Sequence, residues 1–204
     1  MRTPPLDKDA VAETLMRTFW THGFEATSLG RLEAATGLKR QSLYNAFGDK
    51  AAMFGVALER YGSQVGERLA KLLDRPDPVA AIRDYLDAHV ELLSDAATPP
   101  GCLIANCSSE LGPRDDTLGE TMRGGATQSI AALTNTFENW KAAGHLTRSA
   151  DPATLAALLA TLVRGLSVLA RSSADPVQLE RAVDGAVKAF EPFATSHEKK
   201  ETER

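Results

Sequence analysis

The sequence of 204 residues predicts an all-α fold of about nine helices. Three observations favour this class: apolar residues recur at helical spacing, alanine and leucine are abundant, and alternating runs of β-branched residues are missing. We expect a three-helix head over residues 1–50 and a helical body over residues 51–195. Residues 196–204 are strongly charged and are expected to form a disordered tail.

The head shows the pattern of a helix-turn-helix unit. A first helix is expected over residues 7–22, with an apolar stripe on one face. Thr27 or Ser28 then stands where the N-cap of a second, short helix belongs, and Gly37 ends that helix. A third short helix follows over residues 38–47. Two short helices joined by a glycine turn are typical of DNA-binding helix-turn-helix motifs.

The third helix has an unusually polar surface. Arginine, glutamine and asparagine form bidentate hydrogen bonds to purine edges, whereas lysine, serine and tyrosine suit phosphate oxygens. A solvated polar face is the alternative interpretation of such a pattern, but the complete helix-turn-helix arrangement disfavours it. The predicted DNA contacts are Thr27, Ser28, Lys39, Arg40, Gln41, Ser42, Tyr44, Asn45 and Lys50.

Residues 11–58 resemble the DNA-binding head of the TetR family of transcriptional repressors. The segments that carry the resemblance keep the family spacing without gaps; they are Phe24, residues 26–29, residues 35–38, residues 42–47, and Asp49-Lys50 with Phe54. The resemblance implies a repressor whose body binds a ligand and which then releases its operator. Lys39 is a departure, because many members carry a serine cap there. The operator sequence therefore does not follow from the resemblance.

The charge distribution favours a defined operator over general DNA coating. Residues 1–50 carry a net charge of +1 and the remaining residues −5, so phosphate attraction is local and the acidic body opposes non-specific binding. The two cysteines do not form the kind of disulfide framework that is typical of small secreted proteins. No apolar stretch approaches the roughly 18 residues of a membrane span, and the N-terminus does not resemble a signal peptide. We predict a cytoplasmic protein without a membrane partner.

The body alternates helical patterns with breaks that contain proline. A fourth helix, with Asp49 as its N-cap, runs from Lys50 to about Leu73 and connects the head to the body. Asp151-Pro152 and Asp175-Pro176 each combine an N-cap with a proline at the first helical position, which is a typical helix start. The further helices are expected at about residues 79–94, 102–111, 116–143, 152–171 and from 176 onward.

The last two helices are the candidates for a dimer interface. They are apolar over much of their surface, which fits either the core of a monomer or contact with a second subunit, since periodicity shows burial but not the partner. The family resemblance implies the second alternative, because TetR members pair through a four-helix bundle of these helices. A two-fold dimer would present recognition helices to half-sites ~34–36 Å apart. The predicted interface residues are Leu162, Leu166, Leu169, Val183, Val187 and Phe190.

The segment from Pro100 to Leu111 resembles a TetR subgroup that includes the NemR- and ComR-type repressors. Cys102 is expected in the first turn of a helix, where the helix dipole favours a thiolate, so it is a candidate sensor of oxidants or electrophiles. The alternative is a small apolar packing residue. Cys107 lies about 140° further around the helix, which does not suit a disulfide between the two.

The remaining ligand candidates are His89, Asn106 and Trp140, with His145 as a weaker one; each also has an ordinary structural interpretation. We predict no cofactor, no metal and no enzyme activity. The predicted function is a homodimeric, ligand-responsive repressor, with a thiol-based sensor acting through Cys102 as the alternative. A cysteine-dependent enzyme with His89 or His145 as base, and an interaction module that does not bind DNA, are the less favoured readings.

Overall fold

The computed structural model describes residues 6–172 and 175–195; the predicted tail, residues 196–204, lies outside them. The helices are α1 (Lys8–His22), α2 (Leu29–Thr36), α3 (Arg40–Phe47), α4 (Lys50–Tyr61), α5 (Glu67–Ala70), α6 (Pro78–Ser94), α7 (Leu103–Leu111), α8 (Thr117–Ala142), α9 (Pro152–Arg171) and α10 (Pro176–Phe190). The helical run from Lys50 to Leu73 counts as one element in the prediction. On that count the described residues form nine helices, and the all-α prediction is confirmed.

Side-chain caps begin five of the helices, and four of these caps, all but that of Asp7, lie where the sequence predicts a helix start. Asp7, Asp49 and Asp151 each accept a hydrogen bond from the backbone N–H three residues later, at 3.0, 2.8 and 3.2 Å. Asp175 accepts from the N–H two residues later at 3.0 Å. Of the two predicted caps of α2, Ser28 is the one used, with its hydroxyl 3.2 Å from the backbone nitrogen of Arg31. These oxygens satisfy N–H groups that have no partner within the helix.

The predicted fourth helix is continuous but irregular. After α4 the chain forms a π-helical turn over Gly62–Gly66, then α5, and then a 3₁₀ turn over Lys71–Leu73. A glycine stands at each end of the π turn, and glycine is a poor helix former. Departures from α geometry of this kind bend a helix locally without ending it.

The chain divides into two compact units. The first comprises the chain up to Arg68 together with Asp95–Arg123, and the second comprises Leu69–Ser94 together with the chain from Gly124 onward. In the first unit α1 packs against α2 and α4, and α7 packs against both α1 and α4. The unit around the DNA-binding motif is therefore larger than the predicted head of residues 1–50.

Aromatic rings and two leucines hold the helix-turn-helix together. The ring of Phe54 on α4 lies edge-on to those of Phe19 and Phe24, with centroids 5.2 and 5.1 Å apart. Leu32 of α2 and Leu43 of α3 are fully buried against this core. Burying such side chains contributes roughly 1.5–3 kcal/mol each. Leu43 is the one fully buried residue of the recognition helix.

Four of the six residues predicted for a dimer interface lie in the core of the second unit. Here α6 packs against α9 and α10. Four predicted interface residues, Leu166, Val183, Val187 and Phe190, are at most 4% exposed and lie in this core. Leu162 and Leu169 are half-buried and pack against it. The apolar stripes of both helices therefore face their own chain, and the four buried side chains are not available to a partner.

A different face of α9 is exposed. Leu158 and Val168 are 36% and 61% exposed, and Thr161 and Gly165 are exposed between them. The spacing of three, four and three residues places these positions on one side of the helix. On α10, Val177 is 47% exposed. This side of α9 therefore faces solvent and does not belong to the core of the second unit.

The apolar composition of α9 differs from the expectation about membrane spans. Contrary to the prediction that no stretch approaches a membrane span, α9 is long and apolar enough to cross a bilayer by length and composition, and it is the one such helix among the described residues. Leu155, Leu159 and Leu166 of this helix belong to the core of the second unit. A core helix of a globular protein can meet the same criterion of length and composition.

Candidate nucleic-acid interface and sensor residues

The recognition helix α3 presents one continuous polar surface. Leu43 is fully buried, whereas Tyr44 is 38% exposed. All of the predicted contacts on and next to this helix are exposed to solvent: Lys39, Arg40, Gln41, Ser42, Tyr44 and Asn45. The hydrophobic contact fixes one side of the helix and leaves the other free for a macromolecular partner.

The start of α3 is capped by a residue that the sequence analysis missed. Lys39 occupies the N-cap position and makes no capping hydrogen bond with its side chain. Instead, Glu33 of α2 accepts a hydrogen bond from the backbone N–H of Arg40 at 2.7 Å. Its other oxygen lies 3.8 Å from Nε of Arg40. A glutamate seven residues before the helix start does not follow the usual capping pattern, so the signal becomes visible only once the turn is folded.

Two of the candidate base-reading side chains order each other. Nε2 of Gln41 donates a hydrogen bond to Oδ1 of Asn45 at 2.9 Å. The residues are four apart and therefore stand one above the other on the helix. Restricting both amides before DNA arrives lowers the entropy lost on binding.

The prediction that Thr27 contacts DNA is wrong. Its side chain is fully buried, and Oγ1 donates a hydrogen bond to the backbone oxygen of Gly23 at 2.6 Å. The hydroxyl closes the turn between α1 and α2 and cannot reach a ligand outside the protein. Ser28, the neighbouring candidate, is exposed at the start of α2.

Lys50 is engaged within the protein. Its ammonium lies 4.2 Å from the centroid of the Phe24 ring and donates a hydrogen bond to the backbone oxygen of Glu25 at 3.5 Å. Burial lowers the pKa of Lys50, while the carboxylates of Glu25 and Glu110 act in the opposite direction. Lys50 therefore ties the beginning of α4 to the turn between α1 and α2.

Cys102 lies at the N-cap of α7, one position before the first turn that was predicted for it. It is half-buried, and the hydroxyl of Tyr61 donates a hydrogen bond to its Sγ at 3.2 Å. The Tyr61 ring stands edge-on to Trp20, with centroids 4.9 Å apart. Cys107 is fully buried on α7. The described structure contains no disulfide between the two cysteines.

Asn106 has a structural role in the same region. Its Nδ2 donates hydrogen bonds to the backbone oxygens of Trp20 and Pro100, at 3.2 and 3.1 Å. Nε1 of Trp20 donates to the backbone oxygen of Gly101 at 2.8 Å. The amide of Asn106 and the indole of Trp20 thus attach the segment before α7 to α1, and both donors are already used.

His89 is buried in the second unit, with 2% of its surface exposed. The hydroxyl of Ser167 donates to the backbone oxygen of Val163 at 2.9 Å, so it accepts a hydrogen bond from Nε2 of His89 at 2.9 Å. In this arrangement Nδ1 carries no hydrogen. Among the described residues, Nδ1 of His89 is the one buried side-chain nitrogen or oxygen that has no hydrogen-bond partner. Burial lowers the pKa of His89 to about 4, so the ring is neutral near pH 7.

Trp140 is a core residue beside a small cavity. It is 5% exposed, stacks edge-on with Phe137 and donates from Nε1 to the backbone oxygen of Arg75 at 2.7 Å. His145 also lines this cavity of about 240 Å³. A larger groove of about 590 Å³ lies between α6 and α10, and its carboxylates are those of Asp84, Asp87, Glu91 and Glu180. His89 is not among the residues that line either one.

The all-α fold and the exposed polar helix on a capped turn define a helix-turn-helix transcriptional regulator. Residues 12–57 match the family described as "Bacterial regulatory proteins, tetR family", and residues 78–186 match "Tetracyclin repressor-like, C-terminal domain". The chain belongs to the TetR family of transcriptional regulators. It is a TetR-type repressor and not an enzyme.

The similarity to known TetR-type regulators extends along most of the chain. The transcriptional repressor ComR of Escherichia coli (strain K12) is 31% identical over 175 residues, which is 85% of this chain and 83% of ComR. The repressor NemR of the same organism is 30% identical over 79% of this chain and 82% of its own length. A cysteine-substituted form of the TetR regulator CifR, solved in complex with a 26-base-pair operator, has a TM-score of 0.86 and 28% identity, covering 93% of this chain and 99% of CifR.

Proposed function

We propose that this protein is a cytoplasmic homodimer that binds a palindromic operator and releases it when a small-molecule effector binds the body. Residues up to about 50 would read DNA, and residues 51–195 would hold the effector and the dimer contact. The effector and DNA would oppose each other reciprocally, because a ligand that weakens operator binding is itself bound more weakly by the DNA complex.

The exposed face of α3 carries the proposal. One buried leucine fixes the helix, and the outward side offers Arg40, Gln41 and Asn45 for base edges. Lys39, Ser42 and Tyr44 are suited to phosphate oxygens, as is Ser28 at the start of α2. Lys50 is a weaker candidate for a phosphate contact, because its ammonium is already held by Phe24 and Glu25.

The exposed sides of α9 and α10 support pairing of two copies. Leu158 and Val168 leave an apolar strip on α9, and Gly165 within the strip allows another helix to approach closely. Two such helix pairs, related by a two-fold axis, would bury this strip and present two recognition helices to successive half-sites. This interface would use the exposed side in place of the four predicted residues that are buried, while the half-buried Leu162 and Leu169 stay candidates.

Variants of α3 test the assignment of base and phosphate contacts. After an operator is obtained by binding-site selection with the purified protein, Arg40→Ala and Gln41→Ala are expected to relax the preference at the base pairs that they read. The expected discrimination lost is about 1–3 kcal/mol at each position. Tyr44→Ala is expected to weaken all operator variants alike. Unchanged base preference in both the Arg40 and Gln41 variants would show that α3 is misassigned.

A thiol-based signal through Cys102 is the second candidate. The contact between the Tyr61 hydroxyl and Sγ supports it, because a group added to sulfur at 3.2 Å from that oxygen must displace the tyrosine. Tyr61 is the last residue of α4 and packs on Trp20 of α1. Alkylation of Cys102 would therefore disturb two helices that support the recognition helix.

For the thiol, we expect peroxide or an alkylating quinone to release operator from the wild-type protein and not from Cys102→Ser. Operator release is followed by fluorescence anisotropy, and modification of the cysteine by intact-protein mass spectrometry. Cys107→Ser serves as the control, since its sulfur is fully buried and is expected to react slowly. Equal release from wild type and Cys102→Ser would eliminate the thiol mechanism while leaving the effector mechanism in place.

A further inference from the structure

A carboxylate from α7 holds the turn that introduces the helix-turn-helix. Oε2 of Glu110 accepts hydrogen bonds from the backbone N–H groups of Phe24 and Glu25, at 3.0 and 3.1 Å. Both N–H groups follow the end of α1 and lie outside any helix. Backbone donors of this kind need a partner when they are removed from water, and a charged acceptor makes the stronger hydrogen bond.

The residue before these two donors leaves room for the carboxylate. Gly23 has a φ of +77°, which side chains rarely adopt, and a Cβ built there would collide with Oε1 of Glu110. The positive φ is what requires glycine here, because the Glu110 carboxylate is the end of a flexible side chain and could shift away from a Cβ. Gly23 therefore gives the turn its shape and leaves room for the carboxylate of Glu110 beside it.

The same turn contacts α4, the helix that directly follows the recognition helix. Phe24 packs on Phe54 of α4, and Lys50 places its ammonium over the Phe24 ring and on the backbone oxygen of Glu25. Lys50 begins α4 only three residues after α3 ends at Phe47. A displacement of the turn therefore reaches the junction that sets the direction of α3.

An ion pair also joins the chain after α7 to this turn. The guanidinium of Arg114 forms an ion pair with Glu25 and another with Asp116, whose Oδ2 lies 2.6 Å from Nη2. Exposed ion pairs contribute little to stability, so this contact supports the arrangement without replacing Glu110.

We propose that Glu110 is a positioning residue for operator binding, and that α7 acts on the DNA-binding helices through its carboxylate. When Glu110 occupies the two N–H groups, the turn and the α3–α4 junction are held in one arrangement. Movement of α7 that withdraws the carboxylate releases them. The inference rests on the proposed operator binding, but its structural part can be measured without DNA.

The test compares Glu110→Ala and Glu110→Gln with Glu138→Ala, a matched loss of an exposed carboxylate on α8. In free protein, amide hydrogen exchange at Phe24 and Glu25 is expected to accelerate about tenfold to a hundredfold in Glu110→Ala. Operator affinity is expected to fall by about tenfold or more. Glu110→Gln should give smaller changes in both, because the carboxamide oxygen can still accept, and Glu138→Ala should match wild type.

The two measurements separate the possible failures. Unchanged exchange in Glu110→Ala would overturn the contact itself, and faster exchange with unchanged operator affinity would overturn the positioning role. If the wild type binds no operator, the proposed function fails, while the exchange result still decides whether Glu110 holds the turn. Should Glu110→Ala not fold, the same comparison of Glu110→Gln with Arg114→Ala decides the question, since only the former is expected to change exchange at Phe24.

Discussion

A Val168→Glu variant is expected to be monomeric and to lose roughly a hundredfold or more of its affinity for a palindromic operator. Val168 is 61% exposed and is the most exposed large apolar side chain on α9. In a symmetric pair, the same position occurs twice, so the substitution introduces two carboxylates into an apolar contact. In a monomer, each recognition helix binds its half-site independently. The affinity that a dimer gains by binding two half-sites at once is then lost.

Sedimentation equilibrium measures the oligomeric state, and fluorescence anisotropy compares a full operator with a single half-site. The variant is expected to bind both DNAs equally weakly, whereas the wild type prefers the full operator. Ala131→Glu places the same charge on the exposed surface of α8 and is the control. A dimeric Val168→Glu protein would locate the contact elsewhere, and a monomer that keeps full operator affinity would remove the need for pairing.

His89→Gln is expected to make the protein less sensitive to acid. In the folded state the pKa of His89 is lowered to about 4, whereas a histidine in the unfolded chain titrates near 6.5. Between these pH values the unfolded chain binds a proton that the folded chain does not, so this group's contribution to stability is complete above pH 6.5 and is lost as the pH falls toward 4. The free energy involved is roughly 3 kcal/mol.

Urea unfolding of wild type and variant at pH 7 and near pH 4.5 measures this difference. The free energy of unfolding should fall by roughly 2–3 kcal/mol more in the wild type than in His89→Gln. Glutamine retains a hydrogen bond to Ser167 without an ionisable ring. Ser167→Ala keeps the imidazole and should keep the acid sensitivity while losing some stability throughout. Identical pH dependence in wild type and His89→Gln would mean that His89 is already accessible to protons in the folded state.

Local chemistry made much of the fold predictable. Asp49, Asp151 and Asp175 cap helices where the sequence pattern places them, because a cap depends only on residues within one turn. The polar face of α3 follows for the same reason, since one residue, Leu43, sets which side is buried. The helix-turn-helix and the order of helices needed no information beyond short-range spacing.

Features that depend on distant contacts were not predictable. Periodicity marks Val183 and Phe190 as buried, but the same stripe fits a subunit interface and the chain's own core, and the structure has the latter. A threonine hydroxyl can bind a DNA phosphate, yet the hydroxyl of Thr27 donates its hydrogen bond to the backbone oxygen of Gly23. Glu110 is 86 residues from Phe24 in sequence, and no local pattern connects the two.

The cap of α3 by Glu33 has a consequence for how such a regulator can change its target. In many proteins the residue that begins a helix must also cap it, which limits what can stand there. Here the glutamate of α2 performs that task, so positions 39–41 are free to vary without shortening the helix. New base preferences can therefore arise, by natural drift or in a randomised library, while the scaffold that presents them stays intact.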